Sequence, residues 1–345
     1  MTTNPSDAPG QPSSGSRPVV FPLRPLGTWA VAGLLGLAML PRLAAHDSPE
    51  HMVELLTARM ETVGRRPDLL WQRATEYRAL VQLPEAERDL RAALRLKKDF
   101  LPAIMDLSRV QLARGNPRGA GKTIQRAMAF EPGAQSRAEL LMIRAESFGA
   151  TGRLTEAAKA CDEALASAET VNAEWYLARC QYHYRLGQFE AAAAGLREGL
   201  EKTGNAVLEA EWIDAALDAG QYDEVSAQIG ARLAESRCQA SWLIRRGRLQ
   251  EGLGKISEAQ QDYLAALAEL NRRMGGRPLD FTMVTERGLV YGLLGDLSLA
   301  RQDLSRAKAL GADDWALNRL ERVTRERGAG QSKRSRSPLE TRAAR

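Results

Sequence analysis

Residues 173–204, AEWYLARCQYHYRLGQFEAAAAGLREGLEKTG, contain the unit from which the chain is built. Gly187 stands five residues ahead of Ala192, and apolar residues recur at helical spacing on both sides of it. The segment therefore reads as two helices folded back on each other through a tight turn. Cys180 and Ala192 are the small residues that let the two helices cross closely, and Leu196 fills the gap towards a neighbour. Such a hairpin leaves an apolar face uncovered, so it is stable only when copies stack on it.

The copies are present. Gly115 with Ala120, Gly152 with Ala157, Gly220 with Val225, Gly254 with Ala259 and Gly295 with Ala300 repeat the spacing, and Val81 with Ala86 supplies a seventh unit without the glycine. From Pro67 to Asp314 the chain resembles the tetratricopeptide repeat (TPR) family. In the 34-residue frame of that family the units start at Pro67, Leu101, Ala138, Ala173, Ala206, Ala240 and Phe281. Extra residues fall between units, most of them ahead of Phe281 around Asn271, Met274, Gly275, Gly276 and Pro278. Ala74, Ser108, Ala145 and Gly247 join Cys180 at the close crossing in the first helices, and Ala86, Ala120, Ala157 and Ala259 join Ala192 in the second. Leu90, Ile124, Ile229, Tyr263 and Leu304 recur at the place of Leu196, with Ala93, Ala127, Ala164 and Ala266 three residues on. The resemblance implies an all-α, right-handed α-solenoid of about seven hairpins with capping helices.

Composition agrees. Of 345 residues 44% are hydrophobic and only 6% aromatic, and the body is rich in Ala, Leu, Arg, Glu and Gln, which favours helix over sheet. The net charge of +5 belongs to the ends: residues 46–326 hold 39 basic and 41 acidic side chains, so the body offers no basic stripe to nucleic acid. A Pro/Ser-rich lead ends in an uncharged run, Leu26 to Leu40, spanning roughly 22 Å as a helix against a hydrocarbon core of about 30 Å. Residues 1–45 therefore read as a signal peptide cleaved after Ala45, with a membrane anchor over residues 26–40 as the alternative, and the expected location is the periplasm or cell envelope. Ser48 and Pro49 open a capping helix within residues 46–66. The repeats take residues 67–314, and Asp313 or Asp314 caps a last helix over 315–327 bearing Trp315, Leu317, Leu320 and Val323. Residues 328–345 lack an apolar period and read as a disordered basic tail.

Signs of chemistry are few. The stretch Gly115 to Thr123 resembles a phosphate-binding loop, yet five residues rather than four separate Gly115 from Gly121, and no strand precedes it. It reads as a turn running into a helix. His183 falls at a packing place of its repeat with no Ser-His-Asp or HExxH context. The carboxylates read as solvated faces, so no catalytic residue and no cofactor is expected. Cys161, Cys180 and Cys238 read as small core residues, with a Cys161–Cys180 disulfide left open. After cleavage the chain would begin at His46, whose amine and ring, with His51, could hold a transition metal, giving a metal-handling accessory as the alternative function.

The resemblance also implies where binding occurs. In the family the first helices line a concave groove whose outward positions select a protein or peptide. Here those positions are Trp71, Thr75, Arg78, Met105, Arg109, Met142, Glu146, Leu177, Gln181, Tyr184, Arg185, Ile244, Arg248 and Glu251. Interleaved apolar, aromatic and charged side chains suit an extended peptide or a helix. Family members that clamp a C-terminal carboxylate carry Lys, Asn and Arg at defined places, where this chain has Trp71, Thr75, Asp106, Glu139 and Ile143. The clamp is absent. The expected function is a non-catalytic protein-binding scaffold outside the cytoplasm.

Overall fold

The computed structural model describes residues 48–275, 280–312 and 314–336. It opens with α1 (Pro49–Val63), capped by the Ser48 hydroxyl, which accepts from the His51 amide. Seven helical hairpins follow: α2 (Pro67–Ala79) with α3 (Leu83–Leu96), α4 (Leu101–Ala113) with α5 (Pro117–Met128), α6 (Ala134–Ala150) with α7 (Leu154–Ser167), and α8 (Ala173–Arg185) with α9 (Phe189–Thr203). Then come α10 (Ala206–Asp218) with α11 (Tyr222–Glu235), α12 (Ala240–Gly252) with α13 (Ile256–Met274), α14 (Phe281–Leu294) with α15 (Leu297–Ala309), and the terminal α16 (Asp314–Arg336). Among the described residues there is no strand and no helix long and apolar enough to cross a membrane.

The turn chemistry explains the hairpins. Gly115, Gly152, Gly187, Gly220, Gly254 and Gly295 all take φ between 72° and 92°, which a side chain resists and glycine accepts. In the first hairpin Val81 holds the same place at φ 60°, so a β-branched residue is forced into the left-handed region. The stretch at Gly115 is a turn into a helix, with Asn116 capping α5 and Pro117 in its first turn.

Stacking buries the small-residue seams. Ala86, Ala120, Ala157 and Ala192 are wholly inaccessible, as are Leu90, Ile124, Leu196 and Ile229 behind them. Gly247 lies beneath the ring of buried Tyr263. A second device recurs inside the hairpins. Arg73 with Asp89, Arg246 with Asp262 and Arg287 with Asp303 each pair a first-helix guanidinium with a second-helix carboxylate sixteen residues on, through two hydrogen bonds of 2.6–2.9 Å. These parallel bidentate contacts hold each hairpin in register beside its apolar seam.

Three expectations need correction. The third hairpin starts at Ala134, four residues before Ala138, because nothing after the Pro132–Gly133 turn delays the helix. Ahead of Phe281, α13 runs nineteen residues to Met274, and residues 276–279 lie outside the description. Cys161 and Cys180 are buried free thiols as expected of core residues, but Cys238 is exposed. Finally α16 continues to Arg336, past the boundary drawn at residue 327. The signal segment, His46 and residues 337–345 lie outside the described residues.

Candidate functional site

The first helices of successive hairpins face a common interior, and the terminal helix runs into it. From one side of α16, Trp315 meets the Tyr184 ring of α8 edge-on at 5.2 Å, Arg319 reaches Asp214 of α10 at 3.2 Å, and Arg322 pairs with Asp218. Farther along, Arg327 pairs with Glu251 of α12 and donates to the carbonyl of Leu293 in α14. Leu320 and Val323 pack where side chains on Gly288 and Gly292 of α14 would otherwise sit. The inner face is therefore divided: α16 covers its α8–α14 half.

In the other half the centre is Asp106 of α4. Its carboxylate accepts from the Trp71 indole at 2.7 Å, from Arg78 at 2.5 Å and from Arg109 at 3.3 Å. Trp71 is held edge-on to Phe100 at 6.0 Å, and the Thr75 hydroxyl returns to the Trp71 carbonyl. Glu146 stands one hairpin along. Burial pushes its carboxyl up to about 7, and Arg109 opposes the shift. The Gln181 amide nitrogen is buried without a hydrogen-bond partner. Leu177 is half-buried and Arg185 exposed. This half presents an indole, two guanidinium groups, a carboxyl near its titration point and an unsatisfied amide donor.

The covered half is a buried ion network. Asp214 accepts from Arg245 at 2.7 Å and from Arg248 at 2.6 Å, and Arg248 also reaches Asp218 at 2.6 Å. The Tyr184 hydroxyl donates to Asp218 at 2.9 Å. Burial alone would raise Asp214, but Arg245, Arg319 and Arg248 hold it well below the usual carboxylate range. Asp218 is lowered in the same way by Arg248, Arg319 and Arg322. Glu211 beside them is raised by burial, with Asp214 and Asp218 adding to the shift against Arg319 and Arg245.

Of the expected groove residues, Trp71, Thr75, Arg109, Glu146, Leu177 and Gln181 are half-buried on the uncovered half, beside exposed Arg185. Arg78, Met105 and Met142 are buried there, and Arg78 serves to hold Asp106. Ile244 is buried in the core of the α12–α14 region. Tyr184, Arg248 and Glu251 are engaged within the molecule by Trp315, Asp214, Asp218, Tyr263 and Arg327. They contribute to the covered half rather than to an open groove. Sequence reasoning missed Asp214, Asp218, Arg319 and Arg322 as a constellation; the signal was two acids four apart on α10 facing arginines three apart on α16.

His183 has its Nδ1 2.9 Å from the Gln188 side-chain oxygen, a satisfied packing imidazole. His51 is exposed on the first turn of α1, with its Nδ1 4.0 Å from Glu54. Among the described residues no cluster of three or more His, Cys, Asp or Glu is placed to hold a metal ion.

No protein-family model and no curated protein matches the chain. Solved structures do. A tetratricopeptide repeat protein from Parabacteroides merdae is 17% identical, superposes with a TM-score of 0.53, and covers 75% of this chain and 98% of its own. Pseudomonas aeruginosa pilF is also 17% identical, over 74% of this chain and 96% of its own, with a TM-score of 0.41. A Thermus thermophilus TPR protein is 19% identical over 49% of this chain and 91% of its own, at 0.41. The Parabacteroides likeness and the seven hairpins show that the chain has the tetratricopeptide-repeat fold, an α-solenoid.

Proposed function

We propose that the chain is a non-catalytic scaffold outside the cytoplasm that holds a peptide or helix of a protein partner along the inner face of α2 to α8. The observation that carries this reading is the division of the inner face: α16 fills one half, while the other carries half-buried Trp71, Arg109, Glu146, Leu177 and Gln181 with no element of the chain laid over them among the described residues. A rigid indole anchored on Asp106 is a ready hot spot. The places that clamp a terminal carboxylate in the family hold Trp71, Thr75, Asp106, Glu139 and Ile143 here, which favours a side-chain-read segment. The short apolar run from Leu26 to Leu40, followed by small residues at Ala44 and Ala45, supports export.

The test is affinity capture with the exported full chain, identification of the captured protein, and titration of that protein against variants. Trp71→Ala and Arg109→Ala each weaken binding about tenfold, some 1–2 kcal/mol, while Arg126→Ala on exposed α5 leaves it unchanged. N-terminal sequencing of the extracytoplasmic form begins at or near His46. Equal affinity for all three variants would move binding off this face.

A further inference from the structure

The terminal helix α16 is buried on two opposite sides. Leu317, Leu320 and Thr324 recur at helical spacing and are buried; Leu317 joins a cluster with Met274, Val284 and Ala307, and Leu320 packs at Gly288. That side is an ordinary end-cap on the last hairpin. Trp315, Arg319 and Arg322, spaced by four and three residues, lie on the other side and make a different kind of contact. They reach back over a sequence distance of about a hundred residues to α8 and α10, where Trp315 meets Tyr184 at 5.2 Å, Arg322 lies over the Phe189 ring at 4.7 Å, and the two guanidinium groups enter the acidic site.

The charges of that site are unequal without α16. The solenoid itself brings Glu211, Asp214 and Asp218 together against Arg245 and Arg248. Glu211 takes its ion pair from α16 rather than from the solenoid, in a buried setting where an unpaired carboxylate is costly. Arg319 approaches all three carboxylates, and Arg322 completes the set at Asp218. Tyr184 and Phe189 form the aromatic rim. The site is thus complementary to a helix carrying an aromatic residue followed by arginines four and seven positions later.

We propose that the inner face of α8 to α10 is a receptor for an amphipathic, arginine-bearing helix, that α16 is its resident occupant, and that a partner helix with the same aromatic-and-arginine pattern displaces it. The attachment on this side rests on charge and aromatic contacts, whereas the opposite side rests on α14 and α15. Loss of α16 leaves Asp214 and Asp218 paired with Arg245 and Arg248 but takes Arg319 from Glu211, so the vacated receptor keeps an acidic excess that selects a cationic helix. The proposal deepens the binding role assigned to the inner face but uses the opposite half from Trp71, so the two fail separately.

The probe is a fluorophore-labelled synthetic peptide of residues 314–327, titrated by anisotropy against full-length chain. The R319E/R322E chain, with its helical circular dichroism retained, binds the peptide at least tenfold more tightly than the wild type does, and a peptide with both arginines replaced by alanine does not bind. Equal binding to both chains, or binding of the alanine peptide, overturns the proposal. If the double variant misfolds, amide exchange of the wild-type chain decides: excess peptide accelerates exchange in α16 at least fivefold while the amides of α10 stay protected, and an unresponsive α16 overturns it. Variant chains that dimerise by exchanging α16 would make a second copy the occupant and also defeat the partner assignment. Capture by the Trp71 face is unaffected by R319E/R322E whichever way this falls.

Discussion

Glu146→Gln isolates the electrostatic cost carried by the uncovered half of the groove. The folded protein holds the Glu146 proton up to about pH 7, against an ordinary value of 4.5, because burial disfavours the carboxylate more than Arg109 stabilises it. Between pH 4.5 and 7 the unfolded chain has released this proton and the folded chain has not, so stability falls as pH rises through that window and levels off above it. At about 1.4 kcal/mol per pH unit, the window amounts to roughly 3 kcal/mol. Gln keeps the shape and removes the titration. The variant therefore matches the wild type near pH 4 and exceeds it by up to about 3 kcal/mol at pH 8.5, measured as the difference in urea unfolding free energy across a pH series. Arg109→Ala, which removes the opposing charge, carries the fall on to higher pH. A difference that is flat with pH, or that grows towards acid, would refute the reasoning. The same titration bears on binding: a cation of the partner placed beside Glu146 releases a proton at neutral pH, which calorimetry in buffers of different ionisation enthalpy detects.

Two further substitutions test the fold, each by chemical denaturation. Val81→Gly stabilises the first hairpin by about 0.5–1 kcal/mol, because relief of a left-handed valine (about 1–2 kcal/mol) exceeds the flexibility glycine adds to the unfolded chain, and the exposed Val81 side chain gives up little packing. Gly→Ala changes sign with position: at Gly247 the new methyl meets the ring of Tyr263, whose hydroxyl is fixed on Glu251, and costs about 1–3 kcal/mol, whereas at exposed Gly230, with open space around it, the same change gains up to about 1 kcal/mol of helix propensity.

The hairpins were legible because their punctuation is local. A glycine at positive φ five residues before a small residue records both the turn and the crossing, and six of the seven first helices begin where the frame puts them, at Pro67, Leu101, Ala173, Ala206, Ala240 and Phe281. The third does not, since a helix begins where its preceding turn ends rather than where a repeat period says, and the turn ends at Gly133. The arginine–aspartate staples were also written in the sequence, as a separation of sixteen residues repeated at Arg73, Arg246 and Arg287. They went unread because a charge on an amphipathic helix is ordinarily a solvated one.

The same assumption hid the occupant of the groove. An apolar set, Trp315, Leu317, Leu320 and Val323, is what an end-cap requires, and the polar residues opposite it are read as facing water. Whether that other side is wet depends on how far the solenoid curls, a property summed over many hairpin interfaces and invisible in any one of them. Here the curl brings α10 opposite α16, and the arginines that would have solvated an isolated cap instead balance Asp214 and Asp218. A carboxylate pair such as Asp214 and Asp218, buried on an inner helix and exceeding the cations of its own hairpins once Glu211 is counted, has to be matched from elsewhere in the molecule or from a partner. In this chain the matching group and the site it fills lie in one sequence, and for that reason the terminal helix reports what kind of helix the groove accepts.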